Sequence, residues 1–197
     1  MAQAQDTASP DAAAPDAVVT EAPAAEAPAA TVDGLSLGQE VAPADGPGTM
    51  YVAATHGDWE QRCIRTADGS DPCQLYQLLK DKNANPVAEI DIVALPDGQQ
   101  AVAGATIIAP LETLLTEQIL LQVDSGKGKV YPFTWCSTDG CIARVGFTAA
   151  EIAAFKKGVK ATITIVPVVA PDQKVVLEVS LKGFTAGYDA VAATKGN

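Results

Sequence analysis

The chain's single histidine is the first residue to test for catalytic chemistry. His56 stands beside Gly57 and Asp58 at the entry to a predicted strand. A hydrolase would need a nucleophile and an orienting acid next to the imidazole, and the sequence has no G-x-S-x-G or comparable nucleophile motif. A metal held by His56 and Asp58 would have two protein ligands where three or four are usual. The pattern favours a histidine satisfied in a surface turn, so we predict no catalytic, cofactor-binding or metal-binding residue.

Four cysteines are the chain's other reactive side chains. Cys63 and Cys73 bracket one loop, and Cys136 and Cys141 bracket the Ser-Thr-Asp-Gly tip of another. Three pairings are open, and a four-thiolate zinc site is a rival, although nine residues between the first two cysteines exceed the usual C-x₂₋₄-C knuckle. Pairing within each loop joins residues that the turns already bring together. We therefore predict two local disulfides, each contributing about 2–3 kcal/mol of stability.

Two further features resemble ligand sites. Asp68-Gly-Ser-Asp71 begins like a calcium-binding loop, but the twelfth position is Leu79 where a bidentate glutamate is needed, so a solvated turn is expected. Trp59 and Trp135 each stand shortly before a cysteine and would suit ligand stacking. The alternative, which we favour, is that each packs on a disulfide in the core of a β-sandwich.

Strand patterns predict how these residues are positioned. Residues 133–147 alternate apolar and polar side chains around an Asp-Gly turn, which indicates a hairpin closed by its own disulfide. About nine short strands separated by turn residues predict a mainly β fold, an antiparallel immunoglobulin-like β-sandwich. Residues 111–115 are ambiguous between a loop and a short helix.

One short helix has clear end signals. Thr148 and Glu151 form a capping-box pattern, and Gly158 would end the helix in the left-handed conformation. Residues 187–197 look like a fraying end with at most one helical turn.

Composition divides the chain near residue 48. Residues 1–48 carry eight of the 24 acidic residues and none of the 13 basic ones, so the remainder is near neutral. This Ala/Pro-rich stretch cannot bury enough apolar surface to fold, and we predict a disordered acidic tail at 1–48 followed by one domain at 49–197. A spacer is the favoured role, with docking through the apolar residues 34–41 as the alternative. Neither part has the clustered Lys/Arg of a nucleic-acid binder.

The N-terminus suggests export. Met1-Ala-Gln-Ala-Gln resembles a start methionine placed before the mature end that a signal peptidase leaves. No apolar run reaches the roughly 18–20 residues of a transmembrane helix. With the predicted disulfides, this indicates a periplasmic or secreted protein, with peripheral envelope association.

Several motifs together resemble the invasion-associated locus B (IalB) family, which is found in alphaproteobacteria. The resemblance runs from about residue 57 to 190, with the motifs in the family's order. They are Gly57-Asp58-Trp59, Cys63, Cys73-Gln-Leu, Pro110-Leu111, the Cys136…Gly140-Cys141 hairpin and Val179-Ser-Leu-Lys-Gly-Phe184. The resemblance implies an exported immunoglobulin-like β-sandwich of the cell envelope and, for one branch of the family, a link to host-cell invasion and virulence. It supplies no catalytic residue.

The chain departs from the family pattern after Pro110-Leu111. Glu112 and Gln118 stand where the family commonly has glycine, which implies a different loop shape or a different ligand there. We predict a non-catalytic envelope protein that acts by binding a partner, either a host surface or an envelope component. The alternative is a small-ligand carrier or an enzyme whose site is assembled from loops. A deep pocket with convergent polar groups would favour the alternative.

Overall fold

A computed structural model of the chain describes residues 45–195 and, before them, only the backbone of two short strands. These strands, β1 (Thr31–Val32) and β2 (Leu35–Ser36), pair antiparallel. The rest of residues 1–44 and residues 196–197 lie outside the described residues. The predicted disorder of the acidic tail therefore stays a prediction, as does the domain boundary at residue 48.

Eleven strands and two helices make up residues 45–195. The first strands are β3 (Met50–His56), β4 (Trp59–Ile64), β5 (Cys73–Lys80), β6 (Pro86–Ala94) and β7 (Ala103–Ala109). They are followed by β8 (Ile119–Val123), β9 (Lys129–Tyr131), β10 (Trp135–Ser137), β11 (Gly140–Phe147) and α1 (Ala149–Lys157). The last elements are β12 (Lys160–Ile165), β13 (Val175–Ser180) and α2 (Phe184–Ala193).

The strands form two antiparallel sheets over one apolar core. One sheet has the order β10-β11-β7-β6-β5-β4-β3, and the other has the order β13-β12-β8-β9. Inward side chains of both sheets, such as Ile90, Ile107, Ile163 and Leu177, are fully buried in the same cluster. The predicted antiparallel β-sandwich is confirmed, with eleven described strands where about nine were expected.

Both disulfides close hairpins in the larger sheet. Cys63 of β4 stands directly opposite Cys73 of β5, and Cys136 of β10 stands opposite Cys141 of β11. The structure joins each facing pair, with 4.0 Å between the Cα atoms in both cases. This is the local pairing that the sequence predicts, and no thiol remains free among the described residues.

The capping box at the start of α1 is confirmed, while the prediction for its end is wrong. Glu151 N donates to the Thr148 hydroxyl, and the Glu151 carboxylate accepts from Thr148 N at 2.9 Å. Gly158 has φ −72° and ψ 162°, which is extended and not left-handed. Glycine is needed here for space, because a Cβ would lie 2.8 Å from the side chains of both Leu181 and Val123.

Residues 184–193 form a packed helix, so the prediction of a single helix is wrong, and so is the predicted fraying end at 187–197 over its described part, up to residue 195. Helix α2 buries Phe184, Gly187, Tyr188 and Val191, which share one face. It lacks a side-chain N-cap because Gly183 occupies that position. Its formation therefore depends on the tertiary packing of its apolar face.

A chain of aromatic rings ties both helices to the sheets. Phe184 of α2 lies 5.4 Å from Trp59 of β4 and 5.3 Å from Phe155 of α1, measured between ring centroids. Phe155 in turn lies 5.2 Å from Phe147 of β11. Edge and tilted contacts of this kind add about 0.5–1.5 kcal/mol each beyond the area they bury.

Candidate functional site

The residues that resembled a hydrolase lie near one another without forming a catalytic dyad. His56 Nε2 lies 3.1 Å from Gln61 Oε1, so this ring nitrogen is already hydrogen-bonded. The nearby Ser180 hydroxyl donates to the Asp58 carboxylate at 2.6 Å and not to the histidine. Ser180 is thus hydrogen-bonded to a carboxylate and His56 to an amide, so the two do not form a Ser–His dyad. The histidine ends β3 and is hydrogen-bonded to a side chain of the neighbouring strand β4, whereas the sequence predicted a turn.

The same neighbourhood forms what we call the sheet clamp, consisting of Asp58, Trp59, Gln77 and Ser180. The Trp59 indole donates to the Ser180 carbonyl at 2.8 Å. The Gln77 amide donates to the carbonyls of Asp58 and Ser180 at 3.2 and 3.1 Å, and it accepts from Ser180 N at 2.8 Å. Because β4 and β5 belong to one sheet and β13 to the other, the bonds to Ser180 join the two sheets. Sequence reasoning missed Gln77, although a polar residue between inward-facing Leu75 and Leu79 signals a buried hydrogen bond.

Two glycines let the backbone close around the clamp. A Cβ on Gly57 would lie 2.4 Å from the Lys182 carbonyl oxygen, and a Cβ on Gly183 would lie 2.0 Å from the His56 carbonyl oxygen. Both have positive φ, +60° and +86°, which glycine alone adopts readily. The Gly-Asp-Trp and Ser-Leu-Lys-Gly-Phe motifs therefore meet in space and hold the fold.

The loop that resembled a calcium site satisfies its carboxylates internally. Asp71 accepts from Thr66 N and from the Tyr51 hydroxyl, both at 2.8 Å. Asp68 accepts from the Ser70 hydroxyl at 2.9 Å, and hydrogen bonds from Thr66 and Ser70 lower the pKa of Asp68 to about 2. Within residues 45–195, no three His, Cys, Asp or Glu side chains are grouped to hold a metal ion.

The outer face of the larger sheet carries a polar network around one half-buried carboxylate. Asp91 accepts from the Gln74 amide at 2.7 Å, and Tyr76 donates to Glu89 at 3.1 Å. The Arg62 guanidinium lies over the Tyr76 ring, 3.1 Å from its centroid. Burial, together with the nearby charge of Glu89, raises the pKa of Asp91 to about 6. Arg62 also forms an ion pair with Glu60 at 2.8 Å, so each charged group of this network has a partner.

Trp135 departs from the sequence prediction. Trp59 is fully buried, whereas 46% of the Trp135 surface is exposed on the edge strand β10. The expectation that both tryptophans pack in the core is therefore wrong for Trp135. Trp135 pairs across the strands with Ile142, which lies on the outer face of the sheet and is 8% exposed. The alternation of residues in the sequence did not indicate which face Trp135 would take.

Two facing turns at one end of the sandwich present aliphatic side chains to solvent. The turn at Pro110 closes through Thr113 N, and the turn at Pro167 closes through Ala170 N, with N···O distances of 3.1 and 3.2 Å. They lie side by side because Val168 N donates to the Glu112 carbonyl at 2.8 Å. The ambiguous residues 111–115 are thus a turn that leads into a short 3₁₀ helix at Leu115–Glu117.

We define the apolar tip as the exposed aliphatic side chains of these two turns and of the 3₁₀ helix. Its members are Leu111, Leu115, Val168 and Val169. Val169 is 79% exposed and Leu111 is 57% exposed, whereas turn apices usually carry polar residues. Residues 110–118 and 166–174 also contain Glu112, Glu117 and Asp172 against the single base Lys174. The apolar tip therefore has an acidic rim.

No helix within residues 45–195 is long and apolar enough to cross a membrane.

Comparison with known proteins identifies relatives that match most of the sandwich. The family model described as "Invasion associated locus B (IalB) protein" matches residues 59–192. Invasion protein B homologs of Brucella abortus strain 2308 and of B. abortus biovar 1 strain 9-941 are each 27% identical over 146 residues, covering 74% of this chain and 82% of the relative. The crystal structure of invasion associated protein B from Bartonella henselae has the same fold, with a TM-score of 0.62, 23% identity, and coverage of 73% of this chain and 98% of that one.

Proposed function

The chain belongs to the invasion associated locus B family, and from this premise we propose that it is an exported, non-catalytic envelope protein that acts by binding another protein through the apolar tip. The single observation that carries the proposal is the pair of facing turns whose apices are exposed aliphatic residues. Exposed apolar groups clustered on one surface mark interaction sites, whereas scattered ones do not.

The charge around the apolar tip favours a protein over a lipid surface. Glu112, Glu117 and Asp172 would be repelled by the negative potential of anionic lipid head groups. A protein with an apolar depression and a basic rim would complement both features. The partner class is thus a protein of the envelope or of a host surface, in keeping with the names of the Brucella relatives.

The disulfides support the proposed compartment. Structural disulfides persist in oxidising environments such as the periplasm and the extracellular space, and cytosolic thiol systems keep cysteines reduced. We propose that the protein works in one of these two compartments after removal of a leader, and that residues 1–48 serve as an acidic spacer. Both parts of this proposal rest on the sequence and the disulfides.

The absence of an assembled catalytic group among residues 45–195 supports a binding role. His56 faces Gln61, and the carboxylates of Asp68, Asp71 and Asp91 all accept hydrogen bonds from neighbouring groups. None of them stands beside a free nucleophile, which is the arrangement that acid–base or covalent catalysis requires.

A matched pair of substitutions tests the apolar tip. Val169→Glu places a charge on the tip, and Val159→Glu places the same charge on an equally exposed valine, 80% exposed, outside it. Both variants and the native protein would be cross-linked to envelope fractions and to host-cell surface proteins, and the captured proteins compared. We expect Val169→Glu to lose a partner that Val159→Glu retains. Equal capture by the two variants would refute the role of the apolar tip.

A truncated protein that starts at residue 49 tests the spacer. We expect it to capture the same partner as the full chain, since the tip lies wholly within residues 111–169. Loss of the partner on truncation would instead place the contact in the tail, for example in residues 34–41.

A further inference from the structure

A cavity of about 380 Å³ lies between α1 and the hairpin that joins β8 to β9. Its apolar lining includes the buried Leu121 and Phe155, the half-buried Val123 and the exposed Ala154. The volume falls in the range of small-molecule sites, which are mostly apolar with a few placed polar groups. The cavity shares no residue with the apolar tip.

Both carboxylates that line the cavity are already engaged. Asp124 accepts from the backbone N–H groups of Val159 and Lys160 at 3.2 and 3.1 Å. Glu151 holds Thr148 through the capping box and forms an ion pair with Lys129 at 2.7 Å. Neither acid is therefore available to a cationic ligand.

The engagement of Glu151 is reflected in its acidity. Burial by itself would raise the pKa of Glu151, but the hydrogen bonds from Lys129 and Thr148 prevail and lower it to about 2. The same site raises the pKa of Tyr131 to about 12, because the phenol is partly buried and donates to the Glu151 carboxylate at 3.2 Å. Glu151 thus stays ionised and paired, and Tyr131 stays neutral, throughout the physiological pH range.

Two lysines on the rim have no such partner. Lys127 follows β8, and Lys157 ends α1, so the two cations come from different sides of the same cavity. Neither forms an ion pair or a side-chain hydrogen bond with any of residues 45–195. An apolar wall with unpaired ammonium groups at its mouth complements a molecule with an apolar body and a negative head.

We propose that this cavity binds a small amphipathic anion, with an alkyl chain against the accessible lining residues Val123 and Ala154 and an acidic head group between Lys127 and Lys157. The head group is a carboxylate or a phosphate monoester, both of which accept charge-assisted hydrogen bonds from ammonium groups. This is a second binding site, beyond the partner contact proposed for the apolar tip, and it gives a chemical identity to the small-ligand alternative that the sequence left open.

A matched pair of alanine substitutions on α1 tests the site. Ala154 lines the cavity, whereas its neighbour Ala153 is also exposed but does not line it. Ala154→Glu would place a carboxylate in the cavity mouth, and Ala153→Glu would change the helix and the net charge equally. Titration calorimetry of the full chain with decanoate and with decyl phosphate should show about tenfold weaker binding for Ala154→Glu than for Ala153→Glu. Circular dichroism would verify that both variants are folded.

Probes that lack one half of the inferred chemistry complete the test. Acetate has the charge without the chain, and decyltrimethylammonium has the chain with the opposite charge, so both should bind at least tenfold more weakly than decanoate. The stronger of decanoate and decyl phosphate identifies the head group. Equal affinity for decyltrimethylammonium, equal binding by the two glutamate variants, or no binding of either anionic probe would overturn the proposal. Because the apolar tip is untouched in these variants, partner capture should remain unchanged.

Discussion

Replacing Gln77 with methionine tests whether one buried amide joins the two sheets. The Gln77 side chain is only 7% exposed and makes three hydrogen bonds, two to Ser180 of the opposite sheet and one to the Asp58 carbonyl of its own sheet. Methionine has nearly the same length and fills the same space, so the substitution removes the hydrogen bonds with little change in packing. The Ser180 carbonyl keeps the Trp59 indole as a donor, whereas Ser180 N and the Asp58 carbonyl lose their clamp partner.

The expected loss follows from the groups left without partners. An unsatisfied buried donor or acceptor costs about 1–3 kcal/mol, and the added apolar burial of methionine offsets about 1 kcal/mol. We expect the free energy of unfolding to fall by about 2–3 kcal/mol. With a urea m-value of about 2 kcal/mol/M, the middle of the usual range for small domains, the unfolding midpoint should drop by about 1–1.5 M.

Urea titration of the oxidised protein, followed by circular dichroism, measures this loss. Gln100→Met is the matched control, because Gln100 is exposed in a loop and its substitution should change stability by no more than about 0.5 kcal/mol. A loss below about 1 kcal/mol for Gln77→Met, with an unchanged m-value, would refute the idea that the clamp is a principal link between the sheets.

Three other substitutions test separate parts of the structure. Gly183→Ala should prevent stable folding, because its Cβ would clash with the His56 carbonyl. Gly98 has nearly the same φ, +88°, but a Cβ there would have nothing within 4 Å. Gly98→Ala should therefore lower the free energy of unfolding by only about 1–2 kcal/mol, measured by thermal or urea unfolding. Similar losses would show that the close approach is not needed. Asp91→Asn should raise the free energy of unfolding at pH 7 by about 1 kcal/mol and leave it unchanged at pH 4. The value is kept low because Asp91 is partly exposed and solvent screens its charge. Because burial raises the pKa of Asp91 to about 6, the native protein loses stability as the pH rises from about 4 to 6. A variant whose stability does not increase at pH 7 would contradict the burial argument. Replacing Cys136 and Cys141 together with serine should lower the free energy of unfolding by about 2 kcal/mol, and non-reducing peptide mapping should find these two cysteines linked in the native protein.

The local features were predictable because each depends on neighbours in the sequence. The disulfide hairpin at residues 136–141 follows from an Asp-Gly turn between alternating strands. The start of α1 follows from Thr148 and Glu151, whose side chains cap the helix within a single turn. About nine short strands separated by turns then favoured a mainly β fold.

Features that depend on distant contacts were missed or misjudged. Helix α2 has the spacing of Phe184, Tyr188 and Val191 but lacks a cap, so only its packing against Trp59 and Phe155 decides that it forms. Gly158 looked like a left-handed helix end, yet its role is to leave space for Leu181. These outcomes depend on what the opposite sheet places beside each residue.

The candidate sites likewise combine features set by adjacent residues with features set by contacts between distant residues. The amino-acid order alone determined the strand periodicity, the hairpins and the lack of a nucleophile motif, since these are properties of adjacent residues. Only the tertiary structure brought the turns at Pro110 and Pro167 together to form the apolar tip, and only it placed Lys127 and Lys157 around one cavity. Residues about 30 to 60 positions apart become neighbours through the sheet order, because the strands between them carry each loop to a set edge of the sandwich.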